Sequence, residues 1–406
     1  MKESSHPVTG KEKTYFGVQR DIFWMGIVSF LTDISSEMIF SVLTVFLTVI
    51  LGASSALLGL MEGLADFSAS SLDYISGYLS DKTGKRKLFA VFGYAFSTLA
   101  KLLLVFANTV AGVISFRVIE RLGKSIRGAP RDALISSISK ESKLGFSFGF
   151  HKMLDKAGAV LGPIVAYFIL SSLGQTASTY NLLFWIALVP ALLSVIVLQV
   201  MVRERPVTTP PKPRKFFSVY GQTGPEFRRY LRSAGIFSLG YFSFAFLLLK
   251  AYTVGFGIAD VTLLYALFNI AFVLISIPMG KLGDRIGRDK TIIIEYILYI
   301  LMCAGFIFAT SKVAVIALFL LYGIFYAIDE GQSKAYISTI TTEENRGGAI
   351  GLYNFITGLV YLPASLIAGL LWNTYSPSVT FGFAGGIALI SLAVFLIPLR
   401  KKESHV

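Results

Sequence analysis

Gly77-Tyr-Leu-Ser-Asp81-Lys-Thr-Gly84-Lys-Arg-Lys87 returns as Gly280-Lys-Leu-Gly-Asp284-Arg-Ile-Gly287-Arg-Asp-Lys290, offset by 203 residues (284 against 81) in a chain of 406. A second echo follows at nearly the same offset. Asp132-Ala-Leu-Ile-Ser-Ser-Ile-Ser-Lys-Glu141 aligns without gaps on Lys334-Ala-Tyr-Ile-Ser-Thr-Ile-Thr-Thr-Glu343, and the match runs on to Gly149 and Gly351. A displacement of half the chain length means two copies of one unit. Both echoes lie between long apolar runs.

Those runs set the class. A mean hydropathy of +0.68, with 54% hydrophobic and only 15% charged residues, is too apolar for a water-soluble chain of this length. The apolar residues come in stretches of about 20, enough to cross a hydrocarbon core of roughly 30 Å. The expected spans are 22–50, 56–79, 88–108, 111–128, 147–172 and 181–201, then 233–255, 262–281, 291–310, 313–333, 349–372 and 379–398. Six plus six spans predict an all-α membrane protein of two pseudo-symmetric six-helix bundles. Gly52, Gly257 and Gly331 at span ends favour helices, and no alternating ten-residue pattern suggests a barrel.

Charge placement orients the bundle. Lys82, Lys85, Arg86, Lys87, Lys140, Lys143, Lys281, Arg285, Arg288, Lys290 and Arg346 fall in one set of loops, and the opposite loops carry only Lys312. By the positive-inside rule both termini and the central segment are expected in the cytoplasm, and the membrane is expected to be the cytoplasmic (inner) one. The net charge of +13 then reflects membrane-flanking loops, and nucleic-acid binding is not expected. Residues 1–21 read as an uncleaved cytoplasmic tail, since a short h-region and a small-residue cleavage site are both missing. Segment 202–232, with Pro206, Pro210, Pro211 and Pro213 among basic residues, reads as a cytoplasmic tether between a first bundle at 22–201 and a second at 233–398, and 399–406 as a second tail. The lone Cys303 excludes an internal disulfide. With His6 and His405 in the tails and His151 alone, no metal site or other cofactor is expected.

Six plus six spans, a half-length repeat and a G-x-L-x-D-x-x-G-[KR] loop after spans 2 and 8 resemble the major facilitator superfamily of secondary transporters, over nearly the whole chain. The resemblance matches Gly77, Asp81, Gly84 and Arg86 to the first loop, and Gly280, Asp284, Gly287 and Arg288 to the second. It implies a gating latch in which Asp81 docks on the start of span 11 and Asp284 on span 5, where helix dipoles and free N–H groups favour an anion. A turn that only marks topology is the plainer alternative. In span 5, Gly149, Gly158, Gly162 and Pro163 resemble the antiporter motif of exporters in this superfamily, although its final glycine falls on Ile169. Small residues that let helices approach closely would leave the same trace. Span 4 offers Arg117-Val-Ile-Glu120-Arg121-Leu-Gly123, loosely like the family's arginine–glutamine–glycine motif, with Glu120 where glutamine is usual.

Charges inside the spans are the candidate machinery, because each costs about 2.5–3.5 kcal/mol at mid-bilayer unless paired or hydrated. Asp33 and Glu37 stand four apart in span 1. Arg117, Arg121 and Lys124 share a face of span 4 beside Glu120, and His151 and Asp155 stand four apart in span 5. The family fold implies that spans 1, 4 and 5 line one half of a cavity, where these charges would compensate one another. Asp33 or Glu37 would then take up and release a proton as Arg117 or Arg121 withdraws and returns. The competing reading makes the charges purely structural. Span 2 holds Glu62, Asp66 and Asp73, for which Lys101 is a possible partner. Lys250 sits where it would snorkel, and Asp329, Glu330 and Lys334 are the second-half candidates, the last two spaced to pair. Trp24, Tyr241, Phe244, Tyr322, Tyr326 and Tyr353 are possible cavity aromatics.

Walker, HExxH, GxSxG and dinucleotide-turn patterns are missing, so neither an enzyme nor an ATP-driven pump is expected. Three functions remain open. The first is a monomeric, proton-coupled carrier exporting a small organic solute by antiport, energised by the proton gradient. The second is uptake of an anionic solute, such as a carboxylate or carboxylate-type metal chelate or siderophore, on the basic face of span 4. The third is a membrane receptor, scaffold or lipid-modifying protein without transport.

Overall fold

The computed structural model describes residues 14–139, 143–204 and 218–398. The tails before 14 and after 398, Lys140, linker residues 205–217 and the side chain of Asp81 lie outside the described residues, so the Asp81 latch does too. A two-residue hairpin, β1 (Thr14–Tyr15) and β2 (Val18–Gln19), leads into α1 (Arg20–Val45), which ends in a π-turn over Phe46–Ile50. The first half continues with α2 (Ser55–Thr83), α3 (Arg86–Val105), α4 (Val110–Ile138), α5 (Leu144–Leu173) and α6 (Ala177–Met201). After the short α7 (Ser218–Gln222) come α8 (Pro225–Gly240), α9 (Ala245–Thr253), α10 (Ile258–Ile286), α11 (Arg288–Phe308), α12 (Lys312–Ile340), α13 (Glu343–Thr374) and α14 (Pro377–Leu396).

Local chemistry sets the ends. At the end away from the basic loops, Ser54, Thr109, Thr176, Ser311 and Ser376 each accept a bond from the backbone N–H three residues on, covering a donor that the first helical turn leaves free. At the basic end, Gly84 and Gly287 stop α2 and α10 with φ of +68° and +100°, backbone that a Cβ would strain.

Among the described residues ten helical segments, with α8 and α9 taken together, are long and apolar enough to cross a bilayer. The two missing from that set are α2 and α4, each 29 residues long. Both carry the charges of the site instead of a uniformly apolar surface. With them each half has six spans.

The duplication is visible in the packing. In the first half α1 lies against α5 and α6, α3 against α4 and α6, and α2 against α4. In the second, α8 lies against α13 and α14, α11 against α12 and α14, and α10 against α12. These are the same five pairings with every span advanced by six. The seam between halves repeats too, as α2 on α13 and α5 on α10.

Three expectations need correction. The seventh span is not one helix over 233–255: it begins at Pro225, with Phe227 and Tyr230 fully buried, and breaks at residues 241–244. The tether is correspondingly shorter than 202–232. Finally, α4 runs ten residues beyond the expected end at 128, through Pro130, to Ile138.

Candidate solute cavity

A cavity of about 300 Å3 lies between the halves, and its two walls differ in chemistry. The first-half wall is charged: Glu37 from α1, Asp66 from α2, Arg117, Glu120, Arg121 and Lys124 from α4, and Lys156 from α5. The second-half wall is mostly aromatic, built from Tyr241, Phe244, Tyr265, Phe268, Tyr322, Tyr326 and Tyr361, with Ser243, Asn269 and Asp329 as its polar exceptions.

The charged wall is organised by two rungs between α2 and α4. Arg117 gives Glu62 a bidentate pair, Nε to Oε1 and Nη2 to Oε2, each at 3.0 Å, and reaches Glu120 with Nη1 at 3.4 Å. One turn further, Arg121 Nη2 donates to Asp66 Oδ1 at 3.0 Å. Both rungs join residues 55 apart, because the two helices run in the same direction and each carries its charges four apart. The first rung is buried, with side chains 7% and 1% exposed, whereas the second is about a quarter exposed. The Arg117 guanidinium also lies over the Phe40 ring, 4.4 Å from its centroid.

The expected pairing of spans 1 and 4 is therefore replaced by pairing of spans 2 and 4. Glu62 lies outside the expected proton-coupling set, and the matching spacings Glu62/Asp66 and Arg117/Arg121 are the sequence signal that points to it. Lys101 does not reach the span-2 acids either, since its Nζ donates to Ser36 Oγ at 2.9 Å. Ser36 in turn donates to Glu120 Oε1 at 3.4 Å.

Span 1 instead meets the second half. Glu37 Oε2 accepts from Tyr265 Oη at 2.5 Å. Asp33, one turn away, makes no hydrogen bond or ion pair with a described residue and is half-buried. Lys124 and Lys156 face the cavity without an ion pair among the described residues, and Lys156 lies over the Phe272 ring at 4.4 Å. Asp155 accepts from Ser29 Oγ at 2.6 Å and sits 3.6 Å from Lys152 Nζ. His151 is buried outside the cavity, with Nε2 unpartnered.

Two further bonds cross between halves. Ser243, in the break between α8 and α9, donates to Glu62 Oε2 at 3.0 Å. Towards the basic end, Lys152 Nζ donates to Glu330 Oε1 at 3.0 Å, so Glu330 does not pair with Lys334 as its spacing suggested. Lys250 is buried in the last turn of α9. Of the other aromatic candidates, Trp24 packs with Phe23 in an apolar cluster away from the cavity, and Tyr353 stacks on Tyr230 at 5.7 Å.

The loop motifs and span-5 glycines stand apart from the cavity. Asp284 is two thirds exposed and pairs with Arg288, the first residue of α11, at 2.9 Å, in place of the expected dock on the start of α5. Arg86 Nη1 ties the start of α3 to the Ala133 carbonyl at 3.2 Å. A Cβ on Gly77 would come 3.0 Å from that of Ala129, while Gly149 and Gly280 face open space. Gly158 and Gly162 lie against the backbone of α1 at Phe30 and at Ile34 to Met38, so a side chain on either would separate α1 from α5. Pro163 follows within α5.

Comparison with known proteins agrees with this arrangement. The sequence profile described as Major Facilitator Superfamily matches residues 25–257 and 230–406. An uncharacterized MFS-type transporter of Methanocaldococcus jannaschii is 39% identical over 381 residues, 92% of this chain and 94% of that relative. A multidrug resistance protein, MdtH of Aeromonas hydrophila, is 30% identical over 121 residues, 30% of each chain. The crystal structure of the nucleoside transporter NupG superposes with a TM-score of 0.76 at 13% identity, covering 93% of this chain and 99% of that one, a likeness of fold.

Proposed function

The chain belongs to the major facilitator superfamily and is a multi-pass membrane transporter, and from that premise we propose that it exports a small organic solute across the cytoplasmic membrane in exchange for protons. The supporting observation is the two-walled cavity: exchangeable carboxyls and arginines on one side, rings on the other, at the seam where the halves meet. An alternating-access carrier needs groups whose bonding changes as the halves rock, and Glu37–Tyr265 and Glu62–Ser243 are bonds of that kind, each with one partner in either half. Asp33 supplies an acid with no fixed cation beside Glu37, on the same stripe of α1. The aromatic wall favours a solute with a flat apolar part. The export direction draws on the span-5 glycines and on the multidrug resistance relative. Loop charge supports cytoplasmic termini, and the site needs only one chain, with no bound cofactor.

The test is flux in liposomes across a panel of aromatic drugs, nucleosides, organic acids and metal chelates, with and without a pH gradient. The expected result is gradient-driven movement of at least one flat solute, lost in D33N or E37Q while exchange at equal pH survives. Indifference to the gradient, with both variants fully active, overturns the coupling.

A second reading has its own observation. Lys124 and Lys156 are cavity cations without carboxylate partners among the described residues, which suits an anionic solute moved inwards. In the same panel it predicts that only acids and chelates move, and that K124Q with K156Q abolishes their binding.

A further inference from the structure

The second half carries a titratable pair that the charged wall does not account for. Glu295 of α11 is 2% exposed, deep in the bundle, and its Oε2 has no hydrogen-bond partner among the described residues. Its carboxyl lies within hydrogen-bonding reach of the Asp329 carboxyl on α12. Asp329 lines the cavity beside Tyr241, whose Oη is 3.4 Å from that of Tyr322. One member of the pair is therefore sealed and the other faces the solute site.

Across the cavity Asp329 faces the charged wall with Arg117, Arg121, Lys124 and Lys156, but within the second half the surroundings offer little charge. From α8 the pair faces Tyr230, from the break after it Tyr241, from α13 Tyr353 and Tyr361, and on its own helices Tyr296, Tyr322, Tyr326, Glu330 and Lys334. Lys334 is the only cation in that set, and it sits more than a helical turn beyond Asp329. Two carboxylates in contact within a cage of tyrosines cannot both stay ionised, and a proton between them removes the repulsion.

We propose that Glu295 and Asp329 form a shared-proton carboxyl pair, a proton-binding site on the aromatic wall that exchanges with the cavity through Asp329. This deepens the proton-coupled reading and rests on it for its role in transport. With two protons the pair is neutral. When the Asp329 O–H bond breaks, the proton passes to a cavity water and the electron pair remains on the Asp329 carboxylate. The Glu295 O–H then donates to that carboxylate, so the buried member never carries a bare charge. Glu295 is the positioning residue and Asp329 the exchanging one. Glu62 and Asp66 are poorer candidates for this work, since each is held by an arginine.

Infrared difference spectroscopy on the purified full-length protein tests the pair without needing a solute or a gradient. Titration through neutrality should show a protonated-carboxyl C=O band that is lost in E295Q and in D329N. Wild type should also release one more proton per molecule than the double variant E295Q/D329N, whose two amides keep a hydrogen bond and guard against misfolding of either single variant. Spectra and proton counts that coincide between wild type and the double variant overturn the assignment. Because the readout is protonation, uncoupled flux would strike the transport reading and leave the pair standing. Loss of the band, conversely, would leave coupling to Asp33 and Glu37 intact.

Discussion

Arg117 and Arg121 have the same side chain, the same partner helix and the same 3.0 Å bonds, yet they should differ in what they contribute. Arg117 is desolvated with Glu62 and Glu120, so removing it strands two buried carboxylates. R117A is expected to cost about 3–5 kcal/mol. Arg121 and Asp66 are about a quarter exposed, where water screens the pair, and R121A should cost roughly 1 kcal/mol or less. Thermal melting in detergent ranks the two, and equal losses would contradict the difference in burial. The double variant R117M/E62Q removes charge from both partners and should recover much of the single-variant loss, since the penalty lies in the orphaned charge and not in the missing bond. At this scale the sequence exposed the charged residues but not their partners. Span numbers do not show which face of α4 turns towards α2, and Glu37 finds a tyrosine 228 residues away.

At the scale of elements, helix ends are easy to read where hydroxyls and glycines mark them, and hard where charge masks burial. Arg228 and Arg229 make 225–232 look like tether. Yet Arg228 donates to the carbonyls of Tyr220 and Gly221, and Arg229 to that of Ile397, so both spend their charge on helix-end oxygens while Phe227 and Tyr230 go inside. The break at 241–244 leaves no trace, because Tyr241-Phe-Ser-Phe244 is as apolar as the helices around it. Small residues in α2 and α13 carry a clearer message. Gly59 lies against the backbone at Ser365 and Gly369, and Gly63 against Leu362, so the two helices touch along the half of α2 nearest Ser54. A branched side chain has no room there. G59V is expected to push α2 from α13 and open that end of the seam. Pulsed electron paramagnetic resonance between spin labels near residues 53 and 374 should then report a longer, broader distance than wild type, and an unchanged distribution would mean the helices can slide to accommodate it.

Across the whole molecule, duplication dictates the architecture while chemistry has diverged between copies. The five helix pairings recur with every span advanced by six, and the seam recurs as α2 on α13 and α5 on α10. The loop echo foretold this symmetry because turn geometry constrains residue type tightly. It could not foretell that one copy would place seven charged side chains in the cavity wall and the other mostly rings, since cavity positions are scattered and share no turn. The same division bears on how the halves stay together. Among the described residues two main helical seams and three polar bonds, Glu37–Tyr265, Glu62–Ser243 and Lys152–Glu330, join them, and each half contains a complete set of intra-bundle pairings. Residues 1–210 and 211–406 coexpressed as separate chains should therefore insert, co-purify in mild detergent and melt as one species. R117A in the first fragment should weaken the assembly as it weakens the intact chain, because it frees the carboxylate that holds Ser243. Fragments that insert but elute separately would mean that the peptide connection, not the seam, holds the bundles in register, and rocking about a fixed interface would then have to give way to a looser, tethered motion.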